Sequence, residues 1–214
     1  LMLNVIKGFL TLNNQSFEYI FDSDNVLSFS IFIIFLSCLS GASHPFLIDS
    51  NQIQFSISEF LTKFIGLLSQ NLFIISGVYF LGVSFFANKN RIGITSSNEI
   101  IENNQYKLIN IRRTFQLLSF SQIPIIIGMI STLPFISNIS SLVSFIIFIS
   151  TLWFYILITK SIYIGFGFSY DTNASKQARY IKSFLIILFT YVPGTIIFQL
   201  FISSLINNLL TSWI

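Results

Sequence analysis

The chain has 214 residues, of which 53% are hydrophobic, 17% aromatic and only 9% charged, with a mean hydropathy of +0.78. That balance excludes a water-soluble globular domain. It also excludes a nucleic-acid surface, because the Lys and Arg behind the net charge of +3 flank apolar runs instead of clustering on a solvated face. Phe is abundant (26) while Ala is confined to Ala42, Ala87, Ala174 and Ala178, the residue usage of an AT-rich genome. Cys38 is the one cysteine and lies inside an apolar run, which points to a small buried side chain rather than a disulfide framework or thiol cluster.

The fold class this implies is all-α: a polytopic integral membrane protein, a five-helix transmembrane bundle with short interfacial helices. Residues 1–25 precede the first span. Glu18, Asp22 and Asp24 outnumber Lys7, which is wrong for a signal-peptide n-region. Apolar residues at 2, 3, 6, 9 and 10 have helical spacing, repeated at Phe17, Ile20 and Phe21. The segment reads as an interfacial helix, the alternative being an extension of the first span. The first span is expected at 26–42, ending at Gly41 with His44 and Pro45 beyond it. A partly apolar loop follows, and Ser56-x-x-Glu59 is a capping box that starts a helix before the second span at 64–86.

Gln70 and Asn71 lie a third of the way into that span. Amides in lipid seek partners, so they predict an interhelical hydrogen bond, or else the lining of a polar path. The largest polar segment, 87–115, carries Lys89, Arg91, Glu99, Glu102, Lys107, Arg112 and Arg113. Ser96-x-x-Glu99 is a second capping box, and Ile101, Leu108, Ile111 and Phe115 share a helical face, so a surface helix running into the third span is expected.

From Thr114 to Thr159 there are 46 residues without a charged side chain. A bilayer core of ~30 Å needs ~20 apolar residues at ~1.5 Å each, so this stretch predicts a helical hairpin with spans at 117–136 and 139–159. Pro124, Pro134 and Pro193 are candidate kinks, since proline leaves the carbonyl four residues earlier without its partner. After Lys160, the glycines Gly165 and Gly167 mark a helix end. Asp171 or Thr172 is a candidate cap for a basic helix carrying Lys176, Arg179 and Lys182. The fifth span is expected at 184–205 with Gln199 in it, and residues 206–214 form a tail with Trp213 as an aromatic anchor.

Across five spans, ten of the eleven Lys and Arg fall on one side and Lys63 on the other. The positive-inside rule therefore places the amino terminus and segments 87–116 and 160–183 on the cytoplasmic or equivalent side, and the carboxyl terminus opposite, in a bacterial inner membrane or an organelle membrane. Chemistry-bearing patterns are sparse. His44 stands without a nearby carboxylate, the spans as drawn hold no ionisable residue, and there is no GxxxxGK[ST] loop. No catalytic residue, metal site or cofactor is expected. The basic residues Lys107, Arg112, Arg113, Lys176, Arg179 and Lys182 are candidate contacts for anionic lipid or a partner.

FEYIF at Phe17–Phe21, RRTFQLLSFSQIP ending at Pro124, TLWFYILITKSIYIGFG around Trp153 and ASKQARYIKSFLIILFTYVP from Ala174 to Pro193 together resemble the Yip domain family of Rab/Ypt-interacting membrane proteins and their bacterial relatives. The likeness runs from about Phe17 to Leu205. The DLYGP-type motif of the eukaryotic members is absent, so it implies the compact bacterial branch without carrying over Rab binding. It implies Pro124 and Trp153 as packing positions. The resulting expectation is a non-enzymatic membrane scaffold or organising protein, free-standing, homo-oligomeric or a subunit of a larger membrane complex. The alternative is a permease for a small or lipid-like molecule.

Overall fold

The computed structural model describes residues 2–48, 57–86, 109–168, 175–198, 200 and 204, and these form helices and their connecting turns with no strand among them. The helices are α1 (Met2–Leu10), α2 (Asn14–Asp22), α3 (Leu27–Ile48), α4 (Ile57–Leu81), α5 (Ile111–Phe120), α6 (Ile123–Gly128), α7 (Pro134–Ser137), α8 (Ser140–Gly165) and α9 (Lys176–Ile197). Five segments are long and apolar enough to cross a membrane: Asp24–Ser43, Ile57–Ser84, Ile111–Thr132, Ser140–Gly165 and Lys176–Ile197. The chain is a multi-pass helical membrane protein.

The third span, α5 followed by α6, is the central post. It is 61% buried inside the protein, against 17–44% for the other four. Around it, α3 packs on α4 and α5, α4 on α9, α9 on α8, and α8 on both α5 and α6. The outer faces carry large exposed apolar side chains such as Phe32, Phe80, Phe145, Phe148 and Phe189, as lipid requires.

Several element boundaries differ from the sequence expectation, each for a local reason. The third span begins at Ile111 rather than 117, because Asn110 caps α5 by accepting a hydrogen bond from the Arg113 amide at 2.8 Å. It is also two helices instead of one kinked helix. Pro124 has no N–H to offer Phe120, and α5 stops there; the Gln122 amide donates to the Ser119 carbonyl, closing a tight turn, and α6 restarts with Pro124 in its first turn. A 3-10 turn over Met129–Thr132 then leads to α7, which opens at Pro134.

The fourth span does not end at Lys160. It continues to Gly165, and Gly167 takes a positive φ of 74° just beyond. The basic helix and the fifth span are one element, α9. Its cap is Ser175, whose Oγ accepts from the Ala178 amide at 3.2 Å, in place of Asp171 or Thr172. Pro193 lies inside α9 on an exposed face. Trp153 is also on the outer side, 36% exposed, since the core face of α8 is set by Phe154, Leu157, Ile158 and Ser161.

The amino-terminal segment is a docked pair of helices. Phe9, Phe17, Ile20 and Phe21 are almost fully buried, and Phe9 meets the rings of Phe17 at 4.1 Å and Phe120 at 5.8 Å. The pair therefore seals one end of the central post. Its turn puts Leu12 at a φ of 62°, with the Asn13 and Leu12 amides donating to Gly8 and Phe9 carbonyls. That is a Schellman cap with leucine where glycine is usual, at a cost of ~1 kcal/mol.

Candidate functional site

The break between α5 and α6 turns Gln122 into the middle of the bundle. Its Nε2 donates to Asn71 Oδ1 on α4 at 3.1 Å, and its Oε1 accepts from Ser37 Oγ on α3 at 3.2 Å. Asn71 Nδ2 in turn donates to Cys38 Sγ at 3.4 Å, and Gln70 Nε2 reaches Thr195 Oγ1 on α9 at 3.4 Å. Both amides singled out in the second span thus bond across helices. Four spans meet in this polar clasp: α3 and α4 contribute from near their middles, the third span from its break, and α9 from its last turn.

Immediately before Gln122, Ser121 places its Oγ 2.9 Å from Ser161 Oγ, and both hydroxyls reach the Leu117 carbonyl, tying the central post to α8. A cavity of about 170 Å³ lies against the clasp, lined by Ser37, Cys38, Asn71, Gln122 and Tyr191 together with Phe154. A second, of about 280 Å³, shares Gly41 and Ile125 with it and extends to Ser150 and Thr151. The clasp members are uncharged, so the arrangement can orient neutral polar groups but supplies no acid, base or metal ligand set. Among the described residues no group of three His, Cys, Asp or Glu side chains converges.

The predicted basic contacts are dispersed by the fold. Arg112 Nη2 donates to the Asp24 carbonyl at 2.8 Å, and its Nη1 lies 3.5 Å from Asp24 Oδ1. Arg113 sits over the Phe21 ring at 5.5 Å. Both arginines thus pin α5 to the segment around α2. On α9, Lys176 is exposed, Lys182 half-buried, and Arg179 Nη1 donates to the Phe168 carbonyl at 3.4 Å. Lys107, Gln199, Trp213 and the two capping-box serines, Ser56 and Ser96, lie outside the described residues, as do Ile101 and Leu108. His44 falls in the last turns of α3, which runs past Gly41 to Ile48.

The sequence reading missed Cys38, Gln122 and Thr195 as partners of the second-span amides, and Ser37 as the partner of Gln122. Gln122 carried the same signal as Gln70 and Asn71, an amide within a charge-free run. The reading also missed Lys160, an ionisable residue five positions inside α8. Comparison of the chain with protein-family models, with curated proteins and with solved structures yields no match.

Proposed function

We propose that this chain is a non-enzymatic membrane scaffold or organising protein, of the kind that the resemblance to the bacterial Yip domain branch implies. The observation that carries this reading is the polar clasp, in which the mid-bundle amides bond to side chains on other helices and so lock four spans into one arrangement. A fixed bundle with broad apolar flanks is suited to lateral association. The positive-inside bias puts its basic end, with α1, α2 and the start of α9, on the cytoplasmic or equivalent side.

A second reading, a permease for a small or lipid-like molecule, is favoured by the broken third span and the cavity beside Gln122. Interrupted helices at mid-membrane supply binding groups in transporters, and an irregular backbone is tolerated there only when buried or lining a cavity. Purification in mild detergent followed by native mass spectrometry separates the two. Other subunits retained in fixed stoichiometry support the organising role. A lone chain holding a small molecule that is lost in Gln122→Leu supports the permease and overturns the scaffold.

A further inference from the structure

At the basic end of the bundle α8, α9 and the α1–α2 turn enclose a groove of about 380 Å³. Its walls are apolar: Leu152 and Ile156 on α8, Phe184 on α9, and Leu12 from the strained turn. Its upper end is Lys160, half-buried, with Nζ 3.4 Å from the Tyr180 hydroxyl and 5.4 Å from the centre of the Tyr163 ring. Tyr163 and Tyr180 stack at 4.3 Å, nearly parallel, and hold the ammonium at the groove mouth.

Lys160 takes part in neither the Lys63–Glu59 nor the Arg112–Asp24 ion pair. Lys176, at the start of α9, adds positive charge to the same rim. A cation at the edge of the hydrocarbon layer with no carboxylate beside it among the described residues calls for an anion from elsewhere. The apolar trough running from it toward the bundle middle calls for a hydrocarbon chain.

We infer that this groove binds an anionic phospholipid, its headgroup phosphate on Lys160 between Tyr180 and the α9 rim, and one acyl chain along Leu152, Ile156 and Phe184. Charge selects the headgroup and the apolar wall selects a lipid over free phosphate. The Tyr180 hydroxyl supplies the interfacial hydrogen bonding that aromatic residues offer at headgroup level. The inference does not rest on the scaffold reading and applies equally to a permease.

The test is native mass spectrometry of the whole chain released from detergent, with phosphatidylglycerol, phosphatidylcholine or inorganic phosphate added. Phosphatidylglycerol is expected to remain bound about five-fold more strongly than phosphatidylcholine, the effect of one lysine at a headgroup. Lys160→Met should abolish that preference and Lys160→Arg should keep it. Lys7→Met, which removes an exposed charge on α1, should leave it unchanged. Phe184→Ala, at a half-exposed site that the fold does not need, should weaken retention of both lipids. Equal retention of the two lipids by the unmodified chain, or an unchanged preference in Lys160→Met, overturns the site. Full displacement by inorganic phosphate reduces it to a free-anion site and overturns the lipid assignment.

Discussion

At the scale of single residues, the mid-bundle amides and two glycines make different demands. Gln122 has both ends of its amide occupied, so Gln122→Leu leaves Asn71 Oδ1 without its donor inside an apolar bundle. Interhelical hydrogen bonds in membranes contribute ~0.6 kcal/mol on average and up to ~1.7 kcal/mol. A double-mutant cycle of Gln122→Leu with Asn71→Leu, followed by unfolding in mixed micelles, should therefore return a coupling of about 1 kcal/mol. Strict additivity would mean the two amides do not meet.

Gly82 is pressed against the Phe166 ring, where an added Cβ would overlap Cε1 and Cζ, whereas an added Cβ at Gly66 meets nothing within 4 Å. Gly82→Ala should thus destabilise by ~1–3 kcal/mol through overpacking. Gly66→Ala should stabilise by ~0.5–1 kcal/mol by favouring the helix. Thermal unfolding of the two variants side by side checks the contrast, and shifts of the same sign would refute this placement of Phe166.

At the scale of elements, the third span matters most. Its break is a consequence of Pro124, which denies Phe120 a donor, with the Ser121 hydroxyl bonding back to Leu117 beside the interruption. Restoring the N–H in Pro124→Ala should let α5 and α6 join into one helix. A continuous helix turns Gln122 through a different angle, so the Asn71–Gln122 coupling should fall toward zero in this background. Persistence of the full coupling would show that packing by α8, not the proline, holds the break. Lys160 belongs to this scale too: a charge was expected to end the fourth span, yet the helix continues because a long flexible side chain carries its ammonium outward to the interface.

At the scale of the whole molecule, the two amino-terminal helices are part of the core. Phe9, Phe17, Ile20 and Phe21 cover Leu117 and Phe120 at the basic end, where water would otherwise reach them. Burying a side chain of this size contributes ~1.5–3 kcal/mol, and four of them amount to much of the ~5–15 kcal/mol that separates folded from unfolded states. Deleting residues 2–22 should therefore give a chain that inserts but runs as an aggregate on size exclusion. A monodisperse truncated bundle would show that α1 and α2 are an appendage.

The sequence by itself determined the class of protein and its five crossings, because bilayer thickness imposes a one-dimensional requirement: some twenty apolar residues, then charge or a turn. The amides Gln70 and Asn71 were legible as seekers of partners for the same reason, being polar groups where no water is available. The partners themselves were decided only by the tertiary structure. Gln122 lies 51 positions from Asn71 and 85 from Ser37, while Thr195 lies 125 from Gln70. In lipid, helices such as α3 and α8 are apolar around their whole circumference, so periodicity does not say which face turns inward. The central position of the third span, the docking of α1 and α2, and the groove that closes on Lys160 all depend on that inward face. Packing chose it, through a proline break and a few close approaches at glycine.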